Sequence, residues 1–277
     1  MSGFILDDDV LDQISKQIPD LENLAELIFR FAPDFVSIKC PFDSNIPVAA
    51  VCLQDLVNTL LSERIALREY HSHRIWYREK CNPPNESLAI IMMQYYLDDA
   101  IARLYSSGEH LANAIICMLD ITDDQLEPYR KKRTSQQAII GHYLAKEQPQ
   151  KPLTQSIIKL AKSDAWEKTM TYRASWVHEQ PPSIKGLGIT YRRKIRWVQG
   201  VTNDGKKSYT LGIGGGDGAE YSVDEIMDFV QPAIFNFIRL CDDVVKFYSE
   251  VLGKYGIVVT EKGVQFNLFG KVIPKPI

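Results

Sequence analysis

The chain has 277 residues and a formal net charge of −3; 45% of its residues are hydrophobic, 24% charged and 10% aromatic. That length can bury a proper core in one large domain or two small ones, and the composition is that of an ordinary globular protein. The acidic balance argues against coating nucleic acid by bulk attraction, while leaving room for a local basic groove.

The first nine residues, Met1 to Asp9, lack the basic start and apolar run of a signal peptide. The most apolar stretch, Leu88 to Met93, is far shorter than the roughly 20 residues a membrane span needs. The expectation is a cytoplasmic protein without a membrane segment. Cys40, Cys52, Cys81, Cys117 and Cys241 form no CxxC pair and have no His at ligand spacing, so neither a metal nor another cofactor is expected and all five thiols are read as reduced.

In chain order, residues 7–31 read as helix interrupted at Pro19 and stopped by Pro33. A turn-rich loop runs from Pro41 to Pro47, and residues 50–78 read as a second helix, ended by Asn82-Pro-Pro-Asn85. The helix expected at about 86–120 carries one apolar seam: Leu97, Ile101, Leu104, Gly108, Leu111, Ile115 and Met118. Gly108 in that seam points to close approach of a neighbouring helix.

A short helix is expected around Gln136–Ala145, and a longer one over about 153–179 that Pro181-Pro182 terminates. Residues 190–213 change character. Two alternating runs flank Asn203-Asp-Gly205, a hairpin signal. The glycine-rich stretch 212–218 matches neither a phosphate-binding loop nor a dinucleotide fingerprint and reads as a connection. Ser222 and Glu225 form a capping-box sequence before the best apolar stripe in the chain, Ile226 to Val251, which Pro232 should bend without stopping. A second small hairpin closes the pattern around Glu261-Lys-Gly263.

The residues with most chemical promise are Arg173 and His178, in Arg173-Ala-Ser-Trp-Val-His178 at the end of the 153–179 helix. A guanidinium can hold and neutralise a phosphate, and an imidazole can trade protons near neutral pH. Five residues turn an ideal helix by about 500°, so the two side chains leave it about 140° apart. Convergence then needs a loosened helix end, a substrate spanning the terminus, or a second subunit. The plain structural reading is that His178 caps the helix and Arg173 pairs with a carboxylate such as Glu167 or Glu179.

Long bundle helices with Arg-x4-His at the end of the penultimate one resemble the HEPN superfamily, over roughly residues 86–253. Tyr172 and Val177-His178-Glu179 also look like that family. The resemblance implies a mainly α, up-and-down helical bundle, usually dimeric, in which many members are metal-independent ribonucleases. Residues 1–85 would be an N-terminal helical addition packed on the bundle, about 190–213 a hairpin insertion, and 254–277 a C-terminal hairpin and tail. Arg173 would be the phosphate clamp and His178 the general acid/base. Family nucleases commonly place a polar residue after the Arg, where this chain has Ala174.

Strand alternation puts Arg192, Lys194 and Arg196 on one face, either as RNA-binding groups or as an ordinary solvated face. Asp98 and Asp99 read either as groups that face the motif helix and orient Arg173 or His178, or, by default, as a solvated face. The apolar faces of the 86–120 and 222–253 helices exceed what one partner helix covers, which fits a homodimer or coverage by the N-terminal helices. Three functions stand open: RNA binding with metal-independent endoribonuclease activity, a non-catalytic HEPN-like module for a nucleotide, RNA or protein partner, or a purely structural helical interaction protein with no nucleic-acid role.

Overall fold

A computed structural model describes residues 6–37, 45–130, 135–178, 182–187, 195–202, 205–213, 219–254, 257–260 and 263–266. The chain is mainly α with small β-hairpins, as its sequence pattern predicts. The helices are α1 (Asp8–Ser15), α2 (Glu22–Ser37), α3 (Ile46–Ile75), α4 (Glu86–Met118), α5 (Asp123–Arg130), α6 (Gln136–Glu147), α7 (Pro152–Ala161), α8 (Asp164–His178) and α9 (Val223–Lys254). Strands β1 (Ile195–Val201) and β2 (Lys207–Ile213) pair antiparallel, as do β3 (Ile257–Thr260) and β4 (Gly263–Phe266). Among the described residues, no helix is long and apolar enough to cross a membrane.

Local chemistry explains most boundaries. Asn85 caps α4, its side chain accepting from Leu88 N at 3.0 Å. At the start of α9, Ser222 N donates to Glu225 Oε2 at 2.6 Å and Glu225 N to Ser222 Oγ at 3.2 Å, so the capping box forms in both directions. Those bonds hold the Glu225 carboxyl below its ordinary range. Gly205, with φ of +79°, supplies the left-handed residue that the β1–β2 turn needs.

Four sequence expectations are corrected. Pro33 does not stop α2, which continues to Ser37, because a proline removes one helical hydrogen bond and the following residues restore the ladder. Pro47 belongs to the first turn of α3 instead of the preceding loop, at a position where its missing N–H costs nothing. Helix α5 was not foreseen, its signal obscured by Pro128 inside it. The single helix expected over 153–179 is two. Ser163 divides them: its hydroxyl donates to Leu160 O at 2.8 Å and accepts from Trp166 N at 3.3 Å, closing α7 and capping α8.

Helices α3 and α4 form a long hairpin joined by a π-helical turn, Trp76–Lys80. Arg78 in that turn grips Glu86 and Asp224, first-turn acids of α4 and α9, so one guanidinium ties two helix starts together. The N-terminal helices share the bundle's core: Ile18, Leu24, Ile28 and Phe31 are buried with it, and Phe31 meets Tyr248 of α9 edge-to-face at 5.0 Å. Residues of the α4 seam and all of the α9 stripe except half-buried Phe247 are buried within the single chain. Coverage from inside the chain removes the apolar surplus on which the expected dimer was argued.

Two buried groups stand out in this core. Cys241 of α9 has no exposed surface, and burial pushes its thiol well above the ordinary value. Glu63 of α3 is 1% exposed and neither carboxyl oxygen has a hydrogen-bond partner. Burial raises its pKa well above 4.5, with Arg103 opposing the shift. The folded state therefore holds this proton more tightly than the unfolded chain does. Its contribution is fully present below about pH 4.5 and is lost as pH rises through the folded value. Glu63→Met, which removes both unmet oxygens, should stabilise the protein by roughly 1–3 kcal/mol near neutral pH. Urea midpoints compared at pH 5 and pH 8 should show the gain widening with pH; a Met variant less stable at pH 8 contradicts the account.

Candidate functional site

Helix α8 carries the site and is anchored by the residue beside it. Tyr172 is buried, and its hydroxyl donates to Asp98 Oδ1 of α4 at 2.8 Å. Burial pushes the Asp98 carboxyl from 3.8 up to about 6, against the pull of the Tyr172 bond, and burial also pushes the Tyr172 phenol up. Thr169, one turn earlier and fully buried, donates to Ala165 O at 2.7 Å. With that face of α8 held against the core, Arg173 falls on the neighbouring face and His178 at the exposed last turn.

Arg173 and His178 converge within one chain. Arg173 Nη1 stands 3.2 Å from His178 Nε2. A guanidinium only donates, so this hydrogen bond uses the neutral imidazole with its proton on Nδ1. The expected separation around the helix is overcome by the length of the arginine side chain, which reaches to the helix end. α8 is helical as far as His178, so no loosening before that residue is involved.

Tyr105 of α4 completes the arrangement. The Arg173 guanidinium lies over its ring, Cζ 3.9 Å from the centroid, a cation–π contact that fixes the plane of the fork. Arg173 Nε is buried and has no hydrogen-bond partner. Among the described residues no carboxylate forms an ion pair with Arg173; Glu167 does not, and Glu179 lies outside those residues. Asp98 does face α8, but it holds Tyr172, and Asp99 bonds Arg103 Nε at 2.8 Å.

The pair stands at the edge of a cavity of about 580 Å³ bounded by α4, α6, α7, α8 and α9. Its wall on α8 is the stripe Trp166, Met170, Arg173, Ala174 and His178. Opposite lie Leu111 and Ile115 of α4, Ala138 and Gly141 of α6, Ile157 and Ile158 of α7, and Phe237 and Leu240 of α9. Trp166 stacks on Phe237 with centroids 5.6 Å apart and planes 13° from parallel. Gly108 also lines the cavity: a Cβ there would come 2.6 Å from Gln137 Oε1, so the close approach expected at this glycine is that of a side chain from α6.

A second hollow, of about 520 Å³, faces Asp164, Glu167, Lys168 and Thr171 on a different stripe of α8, with Glu220 and Glu225 across it. Lys168 is paired with Asp164 at 2.8 Å, so carboxylates dominate and a phosphate would be repelled.

Of the other expected contacts, Arg192 and Lys194 lie outside the described residues, as does the side chain of Arg196, whose backbone pairs with Gly212 between β1 and β2. Sequence reasoning missed Tyr105 and the cavity. Tyr105 adjoins seam residue Leu104, and no spacing rule links it to a residue 68 positions later. The cavity needs five helices in place before it exists.

Comparison with protein-family models, with curated proteins and with solved structures gives no significant match for this chain.

Proposed function

We propose that the chain is a HEPN-like RNA-binding protein that cleaves phosphodiester bonds without a metal ion. One observation carries this reading: the Arg173 guanidinium and the His178 imidazole meet at 3.2 Å on an accessible helix end. Arg173, with its fork plane set by Tyr105, holds the non-bridging oxygens of a phosphate and neutralises charge as it develops. When Arg173 Nη1 turns from His178 Nε2 to the phosphate, the freed Nε2 of neutral His178 takes the proton of a ribose 2′-hydroxyl, whose oxygen then bonds to phosphorus. The P–O5′ bond breaks, the leaving oxygen is protonated by the imidazolium, and a 2′,3′-cyclic phosphate results. Arg192, Lys194 and Arg196 would bind phosphates beyond the cleaved bond. The HEPN resemblance, rather than any uncovered apolar face, makes the proposed protein a homodimer in which two such sites act near one another. The same reading takes it to be cytoplasmic.

The test is cleavage of end-labelled single-stranded RNA in excess EDTA. His178→Ala should lose at least about 10²-fold in rate, since general acid–base catalysis supplies about 10²–10⁴-fold. Cleavage that survives both His178→Ala and Arg173→Ala assigns the activity elsewhere.

Ala174 supports a second reading, a non-catalytic HEPN-like module. It lines the cavity beside Arg173 and has no side-chain group to bond a phosphate or orient the imidazole. Salt-dependent RNA binding without any cleavage in the same assay would favour that reading.

A further inference from the structure

The cavity beside Arg173 is more apolar than a phosphodiester site requires. Its α8 wall runs from Trp166 to His178, twelve residues and so roughly 18 Å of helix. That length of α8 is enough to lie beside an extended alkyl chain. Arg173 and His178 occupy the C-terminal half of that stripe, Trp166 and Met170 the other half, and Ile158, Leu111 and Leu240 supply hydrocarbon to the same lining.

The two parts impose different demands. Ser135, Gln137, His142 and Lys162 add polar groups to the lining, but hydrocarbon outweighs them, and a nucleobase or a peptide brings edge or backbone polar groups that the aliphatic part leaves unpaired, at a desolvation cost. A hydrocarbon chain brings none. The cationic end asks for an anion: Arg173 Nε is buried with an unused donor, and the planar fork matches a carboxylate. The volume of about 580 Å³ lies within the ordinary range for small-molecule sites.

We propose that this cavity binds an unbranched aliphatic carboxylate, its chain laid along α8 toward Trp166 and its headgroup on Arg173 and His178. Such a ligand occupies the atoms assigned above to the RNA phosphate, so acyl binding and phosphate binding exclude one another. The proposal stands apart from the RNA reading, because binding a carboxylate requires no cleavage.

The test is isothermal titration of the full chain with octanoate, decanoate, dodecanoate and dodecanol, each below its aggregation concentration. One-to-one binding is expected, tightening about four-fold per added methylene and so about sixteen-fold between successive acids. Dodecanol, with no charge to meet the guanidinium, should bind at least about ten-fold more weakly than dodecanoate. Arg173→Gln should weaken dodecanoate and leave dodecanol unchanged. Gly141→Phe should abolish binding of both with the thermal unfolding midpoint unchanged; Gly141 lines the cavity and an added Cβ there meets nothing within 4 Å, so the side chain starts into open space.

Affinity independent of chain length, equal binding of acid and alcohol, or full binding by Gly141→Phe overturns the proposal. So does adenosine monophosphate displacing dodecanoate at lower concentration, which would give the space to a base. A dimer that Gly141→Phe dissociates, in a protein that binds none of the acids, would give it to a second copy. No RNA enters these measurements, so a protein inactive as a nuclease still answers the question.

Discussion

Replacing Arg173 by Lys should lower the RNA-cleavage rate about 10²–10³-fold, the cost of removing one well-placed charge-stabilising group. The positive charge is kept, so bulk attraction is unchanged. What is lost is shape. A planar fork can stay on the Tyr105 ring while its Nη1 exchanges His178 Nε2 for a phosphate oxygen, whereas an ammonium on a flexible stem has no plane for the ring to hold. Single-turnover rates in EDTA, with thermal unfolding run beside them, check the prediction. A rate within ten-fold of wild type would mean that charge alone is used.

Phe237→Ala should destabilise the fold by about 3–5 kcal/mol, the range for removing a buried aromatic from a core. Phe237 is 1% exposed, stacks on Trp166 at 5.6 Å and lines the cavity from α9. Its loss joins new empty space to space already present, and the walls on α7 and α8 lose the ring against which Trp166 rests. Urea unfolding measures the loss. A change below about 1 kcal/mol would mean that the five helices collapse freely around the gap. The two substitutions thus separate chemistry from support: Arg173→Lys should leave the unfolding midpoint in place while Phe237→Ala moves it.

The long elements were legible because each obeys one period throughout. The α4 seam and the α9 stripe repeat at three and four residues and are buried almost position for position. Ser222 and Glu225 announced the start of α9 with a pattern whose two hydrogen bonds are both made. The α7–α8 division was not legible in this way, because the apolar spacing runs across it. The cue was Ser163 followed by Asp164, a capping pair in the middle of an apparently continuous pattern.

At the site, the identities of Arg173 and His178 could be read, but their meeting could not. Ideal helical geometry places Cβ directions and says little about where a long, flexible guanidinium ends. The stack on Tyr105 depends on α4 lying beside α8, a fact of tertiary packing. The same holds for Asp98: its pattern fits a face toward α8 or a solvated face, and only the packed structure decides between them and shows Tyr172 as its partner.

Cys241 gives the folded chain an internal clock. Thiol reagents attack the thiolate, and a thiol with no exposed surface and a raised pKa offers neither access nor charge while the core is closed. Cys52, Cys81 and Cys117 are half-buried, so a small alkylating reagent reaches them through local motion. Alkylation at Cys241 requires α9 to leave the centre of the bundle. Its labelling, followed by mass under native conditions, therefore records how often the helical assembly opens around α9, without denaturant and at a thiol the chain already carries.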